Sequence, residues 1–180
     1  MKPIVLICLF FFIQSCKVQI IGITNDYKKL SDKQKSIIKP IDNFEKLDSG
    51  TIYTINASQL KNEIKKYPKS LVYVFTNGCS AEFCKPLNFY EDFAKRNGYK
   101  LFLVMNGFGD INATLDQNVS SPLFAINGDF YNTNYRSSYT RYFENELRDR
   151  NRDYKSKEYL GGLFFFENGE LIKNSKELPN

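Results

Sequence analysis

The sequence contains no histidine and no tryptophan, and only two methionines. Without histidine the chain lacks the commonest zinc ligand, the commonest general base near neutral pH, and any Cys-His or Ser-His pair. Charge of one sign is not gathered anywhere. The net charge is +5, but Lys and Arg alternate with Asp and Glu, which reads as a solvated basic surface. No basic stripe or nucleic-acid motif accompanies it, so no nucleic-acid partner is expected. Internal repeats and low-complexity tracts are missing, and nothing in the sequence calls for a cofactor. Long apolar runs are scarce: residues 4–13 form the longest. What is abundant is aromatic: 16 Phe and 12 Tyr in 180 residues. That much ring area can build the core of one domain, with residues left over for flanking segments.

The apolar run has a basic start, Met1-Lys2-Pro3, and ends in Ile13-Gln14-Ser15-Cys16. A basic n-region, a short apolar core and a small residue before the cut describe a secretory signal. The core is too short to span a bilayer as a mature helix. Ile13-Gln14-Ser15-Cys16 resembles the bacterial lipobox, although Gln14 is bulkier than usual. That resemblance implies lipidation of Cys16 as the first mature residue. The expected organisation is a lipoprotein signal peptide over 1–15, a tether over 16–50, a packed domain over 51–174 and a tail over 175–180. The expected place is the bacterial cell envelope, held to a membrane by lipid. Cys8 would leave with the signal, so Cys79 and Cys84 would be the remaining thiols. Outside the cytoplasm a disulfide between them can persist.

Hydrophobic periodicity divides the rest. In the tether, residues 30–38 predict a short helix capped by Ser31. In the domain, residues 52–55 predict a strand. Residues 59–66 predict a helix capped by Ser58, with Pro68 stopping it. Residues 71–75 (Leu-Val-Tyr-Val-Phe) predict a fully buried strand of parallel-sheet character. A helix is expected to follow the cysteines directly and run to about Arg96, with Phe83, Leu87, Tyr90, Phe93 and Ala94 on one face. Strands at 100–105 and 122–126, short helical stretches at 110–118 and 138–148, and a hairpin about Asn168-Gly169 complete the pattern. Alternation of strands and helices predicts an α/β fold: a central mixed sheet flanked by helices, with a closing β-hairpin.

The chemistry-bearing segment is Thr76-Asn-Gly-Cys79-Ser-Ala-Glu-Phe-Cys84, immediately after the apolar strand. A thiol at the start of a helix meets unpaired amides and the positive end of the dipole, which favour the nucleophilic thiolate. Two residues five apart on a continuous helix lie roughly 8 Å apart in Cα. A disulfide needs about 7 Å or less, so a bridge requires Cys79 in the loop or an unwound first turn. The residues alone leave three readings open: redox chemistry, a structural disulfide, or a metal pair. Two sulfurs without histidine make a poor closed metal site, so none is expected.

The strand-turn-Cys segment, with Leu163-Phe-Phe-Phe-Glu-Asn-Gly-Glu-Leu-Ile172 as a final hairpin, resembles the thioredoxin-like superfamily over about residues 52–174. Residues 122–126 resemble the extra strand of the branch containing TlpA-like oxidoreductases and peroxiredoxins. Thr76-x-x-Cys79-x-x-x-x-Cys84 is similar to the peroxiredoxin Q pattern. That resemblance implies a peroxidatic Cys79, a resolving Cys84, and a Thr76 hydroxyl that orients peroxide. The chain also departs from the family. Val72 stands where peroxiredoxins have Pro, and Gly78 where thioredoxins have Trp. Leu160-Gly161-Gly162 occupies the place of a catalytic Arg or a cis-Pro. Gly161 and Gly162 would then line the substrate side of the thiol. Arg136 and Arg141 are not expected to replace the missing Arg.

Three function classes follow. The first, and the one preferred, is a membrane-tethered thiol-disulfide oxidoreductase acting through Cys79 and Cys84 on exported protein thiols or a redox partner protein. The second is a peroxiredoxin Q-like thiol peroxidase. The third is a non-catalytic thioredoxin-like module with a structural disulfide.

Overall fold

The structure, a computed structural model, describes residues 22–48, 50–81 and 84–179. Residues 1–15, read as a signal peptide, and Cys16, read as the lipidation site, lie outside the described residues. Among the described residues a single mixed sheet holds seven strands in the order β1-β2-β5-β4-β3-β6-β7. They are β1 (Ile38–Pro40), β2 (Ile52–Ile55), β3 (Lys69–Phe75), β4 (Lys100–Met105), β5 (Leu123–Ile126), β6 (Leu163–Glu167) and β7 (Glu170–Ser175). The first five strands in that order are parallel to one another. β6 runs antiparallel to β3, and β7 antiparallel to β6. The helices are α1 (Asp32–Ser36), α2 (Ala57–Ile64), α3 (Leu87–Asn97), α4 (Asn112–Leu115) and α5 (Arg136–Leu147). The fold class is therefore α/β, with the closing hairpin where Asn168-Gly169 predicts it.

Both faces of the sheet are covered, which is why the parallel strands read as unbroken apolar runs. The period-2 alternation of a strand sends neighbouring side chains to opposite faces. Val72, Val74, Phe102, Val104, Phe164 and Phe166 pack beneath α2 and α5, with Leu60, Ile64, Tyr139, Phe143 and Leu147. Leu71, Phe75, Leu101, Leu103, Met105 and Phe165 pack beneath α3, with Leu87, Tyr90, Phe93 and Ala94.

The starts of α1 and α2 are set by side chains that accept from backbone amides. Ser31 caps α1, and Gln34 returns the bond to the Ser31 amide. α2 begins earlier than its sequence predicts. Asn56, not Ser58, is the cap, because Asn56 and Gln59 form the same reciprocal box. α3 closes at Gly98, whose φ of 70° suits the left-handed C-terminal position.

The segment read as a tether departs most from expectation. Its described part is built into the domain. β1 pairs with β2, Ile41 donates its amide to the Thr54 carbonyl, and Phe44 and Leu47 pack against the core. Leu30 and Ile41 are buried. Scattered apolar residues with weak periodicity are enough when each finds its own site on a preformed sheet edge. At the other end β7 runs through Ser175, and Leu178 packs half-buried against the α3 side.

Candidate functional site

The parallel strands end at one edge of the sheet, and four of the five are followed closely by asparagine: Asn56 after β2, Asn77 after β3, Asn106 after β4 and Asn127 after β5. Three of these are Asn-Gly pairs. The backbone ladder extends into two of them. Asn106 donates its amide to the Phe75 carbonyl at 2.9 Å, and Asn127 to the Ile55 carbonyl at 2.9 Å. The side chains then tie the loops together. Asn77 is buried and donates Nδ2 to the carbonyls of Gly107 at 2.9 Å and Gly109 at 3.1 Å. Its Oδ1 accepts from the Thr114 hydroxyl at 2.7 Å. Asn106 donates Nδ2 to Thr76 Oγ1 at 2.8 Å, while its Oδ1 is buried with no hydrogen-bond partner among the described residues. The buried Tyr139 packs beside Gly107 and Gly128, in the loops that follow β4 and β5. Its hydroxyl donates to the Asn106 carbonyl at 2.7 Å, and burial pushes its pKa well above the usual phenol range.

Cys79 and Cys84 lie in the loop between β3 and α3 and form a disulfide with Cα atoms 6.0 Å apart. Cys79 is exposed and Cys84 half-buried. The expected helix start at the cysteines is not where the helix begins. α3 starts at Leu87, after Pro86, which fixes the entry but offers no side-chain cap. The Leu87 amide donates instead to Gln117 Oε1 at 2.7 Å. Neither sulfur sits in the helix's first turn, so the dipole does not act on them at close range. The later start also makes the bridge feasible, because a loop brings closer two Cα atoms that a helix would hold apart. Phe83, expected on the α3 face, lies outside the described residues. Gly78 turns the chain into this loop with φ of 64°, and a side chain there would overlap the Asp110 carboxylate.

Gly161 and Gly162 open β6 beside this edge. Val74 donates its amide to the Gly162 carbonyl at 2.8 Å, so the glycine loop adjoins the last turn of β3 before the cysteines. The room the glycines leave is taken by the chain itself. A Cβ on Gly162 would overlap the Val74 carbonyl, and one on Gly161 the Ser175 carbonyl. The Gly161 carbonyl accepts from Asn174 Nδ2 at 3.0 Å and from Arg148 Nη2 at 3.5 Å. Arg148 in turn pairs with Glu144, whose carboxyl is pushed up by burial despite that partner. No cis peptide bond occurs among the described residues. Arg136 lies over Gly22 and beside Gly107, and Arg141 stacks on Tyr142 at 5.1 Å.

The asparagine network is the part of the site that sequence reasoning missed. Its signal is a repetition: the same Asn-Gly pair follows three apolar strands.

Comparison with protein-family models, with curated proteins and with solved structures returned no match.

Proposed function

We propose that the protein is a lipid-anchored, thioredoxin-like thiol-disulfide oxidoreductase of the bacterial cell envelope, working through Cys79 and Cys84 on the thiols of exported proteins. One observation carries this reading. The disulfide lies in an exposed loop past the carboxyl end of a central parallel strand, outside every helix and strand. Open α/β sheets place reactive groups at that edge. Opening and closing the bond there leaves the packed layers untouched.

The exchange balances as a two-electron transfer. A substrate thiolate attacks the exposed Cys79 sulfur, the Cys79–Cys84 bond breaks, and Cys84 leaves as thiolate and takes a proton. A second substrate thiolate attacks the mixed disulfide, forming the substrate disulfide and releasing Cys79 as thiolate, which takes a proton. The reverse sequence reduces a substrate disulfide. Asn77 and Thr76 are positioning residues: they hold the loop against residues 106–114. Cys84→Ser should trap mixed disulfides on Cys79 in envelope fractions, whereas Cys79→Ser should trap none. Absence of adducts in both variants would leave the exchange reading without support.

The helix start at Leu87 favours one alternative, a structural staple. The cysteines lack the close dipole contact that would make one of them unusually acidic. Equal, slow alkylation of both thiols in the reduced protein would favour the staple. The Thr76 hydroxyl, which a peroxidase of that pattern would use, accepts from Asn106 Nδ2.

A further inference from the structure

We infer that the carboxyl edge of the sheet, with the disulfide loop, rests against the lipid headgroup layer. This rests on the reading of Cys16 as the lipidated residue.

The chain downstream of that cysteine is pinned early, and at this edge. The Gly22 amide donates to the Asp26 carboxylate at 2.7 Å, and the Arg136 guanidinium lies over Gly22. Arg136 donates its amide to the Ile23 carbonyl at 2.9 Å, and Phe108 donates its amide to the Asn25 carbonyl at 2.8 Å. Asp26 is buried and paired with Lys29. Residues 22–30 are thus a strap across the loops that follow β4 and β5.

Magnitudes decide what the anchor permits. Cys16 and Gly22 are six positions apart, and even a fully extended chain of that length spans only about 20 Å. A domain of this length has a radius of gyration of about 15 Å and is about 40 Å across. The lipid therefore holds the strap, and with it the carboxyl edge, on the bilayer side of the domain. The opposite edge would have to be reached by a tether half as long as the molecule.

The surface presented there suits an interface. Ile23 and Tyr27 on the strap, and Phe130 and Tyr135 after β5, are large apolar side chains exposed to solvent. Aromatic rings with a polar tip sit favourably at headgroup depth. Charges on this edge are of both signs: exposed Lys28 stands near exposed Asp129. Attraction to anionic lipid is therefore secondary to the rings and the short tether. In such an orientation the disulfide meets thiols that emerge from, or lie on, the same membrane.

The test uses the full-length lipidated protein in phosphatidylcholine vesicles carrying a headgroup nitroxide. A fluorescent non-natural residue is placed at Tyr135 in one variant, at Phe130 in a second, and at Glu170, at the opposite edge, in a third. Immersion of a few ångströms should quench the first two about threefold more than the third, with little change on adding salt. Equal quenching at the two edges, or stronger quenching at Glu170, overturns the orientation. Protein without lipid, found in the soluble fraction, also overturns it and traces the failure to Cys16. The readout does not depend on redox activity, so failure of the thiol-exchange reading alone leaves this result intact.

Discussion

Asn77 does at one residue what a metal or a disulfide does elsewhere. Its amide closes three bonds to a loop thirty-odd positions away, and it is buried. Asn77→Ala would leave the carbonyls of Gly107 and Gly109 and the Thr114 hydroxyl without that partner. The expected cost is roughly 1–3 kcal/mol of stability in urea unfolding. The same variant should speed reduction of the Cys79–Cys84 bond by a small-molecule dithiol, because the loop before Cys79 loses its hold. A variant that keeps wild-type stability and reduction rate would remove Asn77 from the positioning role. The cysteines themselves were legible in the sequence, since they follow an apolar strand directly. Asn77 was not: an Asn-Gly after a strand ordinarily signals only a turn.

Among the elements, the strands were the most legible. β2 and β4 span the residues that the apolar runs predict. The start of α3 was not legible, because the Cys84 amide's bond to the Ala81 carbonyl and Gln117's bond to the Leu87 amide are irregular or long-range features with no period. The strap was misread for a related reason. Its fixed points are backbone carbonyls and the Asp26 carboxylate, and backbone groups carry no sequence signal. The carboxylate gives the strap a pH dependence. Burial tends to raise the Asp26 pKa, but the bonds from Lys29, the Gly22 amide and Thr24 outweigh it, and the pKa is lowered. The unfolded chain therefore takes up the proton first. The strap's stabilisation is present above the ordinary carboxylate pKa of about 4, and is lost as pH falls through the lower folded value. Amide exchange at Phe108 and Arg136 should accelerate relative to the β4 core as pH drops below about 4. Asp26→Asn should show the faster exchange already at neutral pH. A flat ratio in the wild type would show that the strap is held without the carboxylate.

The whole molecule depends on its two apolar layers more than on its disulfide. In the chain-entropy account a ring closed over so short a segment contributes roughly 2 kcal/mol, the small end of the range. Reduction should lower stability by about that amount or less while far-ultraviolet dichroism stays unchanged. Loss of the sheet on reduction would mark the bond as a structural necessity. Strand order has a further consequence, for synthesis. β1 and β2 make one parallel pair, β3 and β4 another, and β5 lies between the two pairs. Early and middle segments of the nascent chain thus have no direct pairing with each other. The sheet cannot become continuous until residue 126 has been made and inserted. A chain read as bound for export stays open, in its central layer, through more than two-thirds of its translation, and export machinery takes up chains in that unclosed state.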